Sequence, residues 1–170
     1  MKIMQMYSNS LKFKSVKFNE QFNIILGDIK YPNDLNKDSH NLGKSTLINL
    51  IDFMFLKGID KDYFLKKSGF SEHIFFMELK LNNSKYLTIK RSVENNTKIS
   101  FKLHDEPYQD FINEFFWDHV DLSISAKNDK DNARFVLNRY LEFDVLKNEK
   151  YRKTLSYFFR TKMTIRMFLN

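Results

Sequence analysis

The sequence holds no cysteine, and only four glycines, two prolines and one tryptophan stand among its 170 residues. Without cysteine there is no disulfide framework, zinc ribbon, iron–sulfur cluster or thiol nucleophile. The scarcity of glycine and proline, together with 16% aromatic residues, excludes a disordered chain. Long apolar runs are missing as well. The longest, Leu47 to Leu56, is interrupted by Asn49 and Asp52 and falls short of the roughly 20 residues that a bilayer span requires. No membrane partner is therefore expected. Polar Gln5, Ser8, Asn9 and Ser10 stand where a secretory signal would place its apolar stretch, so the cytoplasm is the expected compartment.

What is present amounts to a single domain, residues 1–170, long enough to bury roughly two thirds of the surface of its unfolded chain. The 28 Lys and Arg outnumber the 21 Asp and Glu, for a net charge of +7. The excess gathers at the end: beyond Phe143, Lys147, Lys150, Arg152, Lys153, Arg160, Lys162 and Arg166 face only Asp144 and Glu149. Such a stretch meets phosphates or forms a solvated helical face. Tyr151, Tyr157, Phe158 and Phe159 lie among its charges, which keeps nucleic-acid contact open.

The hydropathy pattern predicts strands within residues 1–26. Leu11, Phe13, Val16 and Phe18 alternate with polar residues, and Phe22, Ile24, Ile25 and Leu26 form a denser run that ends at Gly27. Residues 28–42 read as loop. Lys44 to Lys57 is apolar on nearly every side, the mark of a buried helix, with Gly58 as its stop. Three strands follow, His73 to Leu81, Tyr86 to Val93 and Lys98 to Leu103, joined by short Asn-rich links that fit an antiparallel meander. Helices are predicted from Pro107 through Trp117, from Asp131 to Phe143 and from Glu149 to about Phe159.

The segment Asp38-Ser39-His40-Asn41-Leu42-Gly43-Lys44-Ser45-Thr46-Leu47 carries the second half of a P-loop at the mouth of the apolar helix. Unpaired amides at a helix start and the helix dipole favour anions, and a glycine lets the backbone approach phosphate oxygens. Lys44 would reach the β and γ phosphates of a nucleotide, Ser45 would bind magnesium, and Thr46 would meet the α phosphate. The first half is irregular. Position 38, five before Gly43, is Asp rather than Gly, whereas Gly27 stands at the strand exit. The reading is an insertion within the loop, with Gly27 as the exit glycine and Asn41, Leu42, Gly43, Lys44, Ser45 and Thr46 as the phosphate nest.

These residues resemble the amino-terminal lobe of ATPase heads in the SMC/RecN-like branch of ABC-type ATPases. They are most similar to bacterial proteins of that branch with an insertion before an Asp-Ser-His-Asn-Leu-Gly-Lys-(Ser/Thr)-Thr-Leu loop. The run Tyr86-Leu87-Thr88-Ile89-Lys90-Arg91 resembles the antiparallel sheet beside the nucleotide, and Tyr151 to Arg160 resembles a stretch near the end of such a lobe. The resemblance implies an α/β fold: a P-loop NTPase-like mixed sheet around a buried P-loop helix, with an antiparallel meander and a helical C-terminal region. It also implies ATP and Mg2+ as cofactors, and as partner a complementary C-terminal ATPase lobe or second head. A role on DNA, in its maintenance or in defence, comes from the resemblance alone.

The chain departs from such heads in having no strand that ends in Asp-Glu, no Ser-Gly-Gly signature and no heptads. Hydrolysis needs a carboxylate to orient water and further charge stabilisation. The expectation is therefore nucleotide binding without appreciable turnover, in a truncated product or one half of a split pair, with no residue assigned a catalytic role. A non-hydrolysing binding or structural module is the alternative. A P-loop GTPase ranks lower, because guanine recognition needs Asn-Lys-x-Asp and Lys127-Asn128-Asp129-Lys130-Asp131 has the wrong order.

Other residues read as structural. His40 is expected to hydrogen-bond within the inserted loop or to touch phosphate, and His73, His104 and His119 lie far apart with no carboxylate at ligand spacing, so no metal site is expected. Asp52 and Glu78 belong at the margin of a core or in an ion pair. Phe111, Phe115, Phe116 and Trp117 are expected to pack in the core from their helical spacing.

Overall fold

A computed structural model describes residues 1–21, 23, 24, 44–67 and 69–143. Its centre is a six-stranded sheet in the order β2-β1-β3-β4-β5-β6, built from β1 (Lys2–Ser8), β2 (Val16–Lys17), β3 (Ile74–Lys80), β4 (Tyr86–Ser92), β5 (Lys98–His104) and β6 (His119–Ser123). Every neighbouring pair is antiparallel. Two α-helices are present among the described residues, α1 (Lys44–Met54) and α2 (Ala133–Tyr140).

This overturns the expected α/β class. Among the described residues the fold is mostly β, not a P-loop NTPase-like mixed sheet wrapped around a buried helix; the expected helical C-terminal region lies outside the described residues. The physical reason lies in the connections. Parallel strands need long crossovers, whereas β3, β4 and β5 are joined by tight links. Leu81 N donates to Lys85 O at 2.8 Å around Ser84, whose φ is 64°, and Lys98 N donates to Asn95 O at 2.9 Å. The meander predicted from the Asn-rich joins is present with nearly the expected limits.

Other expectations change. Regular pairing in the first segment occupies Lys2–Ser8, ahead of the predicted alternation, and Leu11 is fully exposed. Asn23 and Ile24 lie outside any element and are exposed, while Phe22, Ile25 and Leu26 fall outside the described residues, as does the helix predicted from Glu149. The helix expected from Asp131 starts at Ala133, after a 3-10 turn at Asp129–Asp131. The Asn132 side chain caps it, accepting from Arg134 N and Phe135 N.

The largest difference is at Pro107 to Trp117, predicted as a helix and found within an irregular strap at 105–118. Five of its backbone donors go to side chains instead of to carbonyls one turn back. Tyr108 N and Gln109 N donate to the Glu78 carboxylate at 2.9 and 3.2 Å, and Phe111 N donates to the Tyr7 hydroxyl at 3.0 Å. Asp110 and Glu114 accept from the amides two residues on, and Tyr108 holds a left-handed φ of 58°.

The register separates the two faces of the sheet. Met6, Met77, Ile89 and Phe101 stand in one cross-strand row, and α1 and α2 cover it with Leu50, Phe53, Met54, Val136 and Leu137. Gln5, Glu78, Thr88 and Lys102 form a row on the opposite face, beneath the strap. There Tyr7 stacks on Phe76 with centroids 4.8 Å apart, and Gln5 Nε2 donates to Glu78 at 3.1 Å.

Burial holds the Tyr7 hydroxyl well above the usual tyrosine range; the Phe111 N–H works the other way, and the Asp110 and Glu78 carboxylates reinforce the rise. A raised folded-state pKa gives stability that is complete below the unfolded value and is lost as pH climbs beyond it. Denaturant unfolding should therefore show stability falling above about pH 10. Tyr7→Phe should remove part of that fall. The remainder belongs to other groups, including Tyr140, which burial and then Asp118 also raise. An identical alkaline slope in both proteins would refute this role for Tyr7.

Candidate functional site

The predicted site begins at the start of α1. Its C-terminal half carries Leu50, Ile51, Phe53 and Met54, all buried, whereas Ser45 and Thr46 in the first turn are exposed and Ile48 remains 42% exposed. The helix is thus buried at one end and open at the other, not buried throughout. No acidic residue occupies its first turn, so no carboxylate from the helix itself competes for the amides there.

Gly58 is not the stop. Lys57 N donates to Asp52 O at 3.2 Å and Leu56 N to Phe53 O at 2.9 Å, around Leu56 at φ 64°. This is a Schellman closure with leucine in the left-handed position where glycine is usual. The backbone penalty is about 1 kcal/mol or more. Burial of the Leu56 side chain, 0% exposed, offsets it.

Two arginines from other elements meet this end of α1. Arg91 of β4, fully buried, donates through Nη1 to the carbonyls of Phe53 and, at 2.9 Å, Lys57, and through Nε to Asn96 O at 2.7 Å. Its guanidinium lies 3.9 Å from the centroid of the Phe53 ring. Arg134 Nη2 donates to Leu56 O at 3.3 Å. Cations at a helix C-terminus complement the negative end of its dipole, and α1 supplies none in its own last turn. Further along the helix, Tyr63 OH donates to Asn49 O at 2.6 Å, and Asp52 pairs with Lys57 at 2.9 Å.

Of the predicted phosphate-binding residues, Lys44, Ser45 and Thr46 fall together in the first turn of α1. Gly27, Asn41, Leu42 and Gly43 lie outside the described residues, as does His40. Asp52 and Glu78 have structural partners: Lys57 for the first, and Gln5, Tyr108 and Gln109 for the second. His104 bridges Thr88 Oγ1 at 2.9 Å and Glu106 O at 2.8 Å. The carbonyl of Glu106 accepts from Nδ1–H. His73 packs between Phe70 and Phe75. Among the described residues no three His, Asp or Glu side chains converge on a metal position, and no helix is long and apolar enough to cross a membrane.

The four aromatics expected in the core divide. Phe111 and Trp117 pack against the sheet, whereas Phe115 and Phe116 stand 87% and 81% exposed. Helical spacing predicted a common face, and the strap is not helical. Sequence reasoning also missed Arg91, whose only signal was a charged residue in an otherwise apolar strand row, and the open hollow of about 430 Å³ that joins His119 of β6, Val136, Arg139 and Tyr140 of α2, and Glu142 just beyond it.

No protein-family model matches the chain, and no curated protein or solved structure matches it either.

The division among the aromatics is testable by urea unfolding. Phe115→Ser and Phe116→Ser should each change stability by less than about 0.5 kcal/mol. Phe111→Ala, at a position only 8% exposed, should cost about 3 kcal/mol. A comparable loss from the two exposed positions would contradict the strap geometry.

Proposed function

We propose that the chain binds the triphosphate of ATP, with Mg2+, at the first turn of α1. The observation that carries the reading is the coincidence of the sequence Gly43-Lys44-Ser45-Thr46 with the start of a helix whose first turn exposes Ser45 and Thr46 and holds no acidic residue. A helix N-terminus attracts anions through its unpaired amides and dipole. The ammonium of Lys44 adds charge for the outer phosphates, the Ser45 hydroxyl is suited to the magnesium ion, and Thr46 to the α phosphate. Asn41, Leu42 and Gly43 immediately precede this turn in the sequence and, with Gly27, are the residues assigned to the remainder of the phosphate nest.

In this reading the protein is a cytoplasmic ATP-binding lobe of an SMC/RecN-like ATPase. It works with a complementary lobe that supplies the Walker B carboxylates and signature residues, and DNA is the substrate on which the assembled heads act. The chain alone binds without turning over. Supporting this, the carboxylate of α1 and the buried carboxylate of β3 are engaged: Asp52 with Lys57, and Glu78 with three donors. Neither is free to orient an attacking water.

Calorimetric titration with Mg-ATP and Mg-GTP tests the reading, with phosphate release followed in parallel. ATP should bind more tightly than GTP, Lys44→Ala should weaken it at least about tenfold, or 1.4 kcal/mol, and release should stay at background. A preference for GTP favours a GTPase. Binding that is absent, or indifferent to Lys44, defeats the nucleotide reading, and robust turnover by the isolated chain defeats the need for a second lobe.

A further inference from the structure

We infer that Arg91 is a positioning residue for the nucleotide-binding turn, and that it couples that turn to the β4–β5 link at the opposite end of α1. The inference rests on the ATP reading above and deepens it.

An isolated helix of 11 residues does not persist in water, so the amides of its first turn hold still only if the rest of the helix is held. Apolar packing through Phe53 and Met54 excludes water but is non-directional, and it tolerates small rotation and sliding of the helix. A guanidinium is directional. Its planar fork presents donors at set angles, and here they reach Phe53 O and Lys57 O of the α1 terminus and Asn96 O of the β4–β5 link. Contacts in different directions fix both the axial position of α1 and its rotation relative to the sheet.

The position of the residue strengthens the point. Arg91 stands in the apolar cross-strand row, paired with Phe75 and Ile99, and is 0% exposed. Burying a guanidinium is costly before its hydrogen bonds are counted, and an aliphatic residue in the row would avoid that cost. What an aliphatic residue would not supply is the directional hold on the carbonyls. Asn96, whose carbonyl Arg91 engages, is itself braced by its Nδ2 donating to Val93 O at 3.2 Å. The link is therefore a firm anchor on the sheet side. Arg134 adds a second, more peripheral hold at Leu56 O.

An anion at the N-terminus and cations at the C-terminus stabilise the same helical state. With the helix already held, a phosphate meets a preorganised turn. Without the hold, binding must also order the helix, which lowers affinity. Linkage makes the effect reciprocal: nucleotide at the first turn must in turn steady the link around Asn96.

The test uses the full chain as wild type, Arg91→Met, Arg91→Lys and Arg134→Met. Mg-ATP affinity is measured per folded molecule, at a temperature where circular dichroism shows each protein fully folded. Amide exchange of residues 92–98 is followed with and without Mg-ATP. Arg91→Met should weaken binding about tenfold, Arg91→Lys should recover part of the loss, and Arg134→Met should weaken binding about twofold to threefold. Nucleotide should slow exchange at 92–98 in wild type and not in Arg91→Met. A folded Arg91→Met that binds as wild type, with exchange at 92–98 indifferent to nucleotide, overturns the inference while leaving the ATP reading intact. If Arg91→Met does not fold, Arg134→Met and the wild-type exchange decide: unchanged affinity with unchanged exchange overturns it. A wild type without Lys44-dependent binding fails the ATP reading itself, and the inference falls with it.

Discussion

The hold of Arg91 on the end of α1 is the constraint on which the rest of the molecule depends. The sheet is antiparallel and β3, β4 and β5 follow one another through short links, so nothing in its own hydrogen bonding demands a helix at a given place on its surface. Apolar burial recruits α1 to the face bearing Met6, Met77, Ile89 and Phe101. A guanidinium that engages carbonyls of both the helix terminus and the β4–β5 link converts that recruitment into one position. The left-handed Leu56 is tolerated in the same neighbourhood, because the Schellman closure and burial of its side chain favour the same geometry.

The opposite face is organised by another buried charge-bearing group. Glu78 collects donors from Gln5 and from the backbone of Tyr108 and Gln109, and Tyr7 accepts from Phe111. An irregular strap thereby covers a sheet face that would otherwise be half polar and wet. The arrangement leaves Phe115 and Phe116 pointing away while Phe111 and Trp117 close over the strands. The two faces are thus secured by different physics. Directional contacts to one helix end complete the first, and side-chain capture of a loop backbone makes the second.

Local signals were legible in the sequence. Alternation and Asn-rich joins gave the limits of β3, β4 and β5 to within a residue or two, and Gly-Lys-Ser-Thr before an apolar run marked the start of α1. What stayed hidden depended on partners distant in the chain. The strap read as a helix because its apolar spacing suits one, but Glu78 and Tyr7 lie far away in sequence and withdraw its amides. The placement of β1 between β2 and β3 follows from long-range pairing, and so does the all-antiparallel class. Resemblance in the P-loop segment pointed to a mixed sheet because that motif usually sits in one, and a motif of a few residues does not determine the strands around it. The role of Arg91 was likewise invisible, since its acceptors are backbone atoms that only the fold brings together.

The central claim is that α1, fixed at its far end, offers its first turn to a triphosphate. Recording amide chemical shifts on an isotope-labelled protein during titration with Mg-ATP tests this most directly. The account predicts that the amides of Gly43, Lys44, Ser45 and Thr46 move most and saturate together. It is contradicted if those amides stay still, whether the shifts appear elsewhere on the molecule or nowhere.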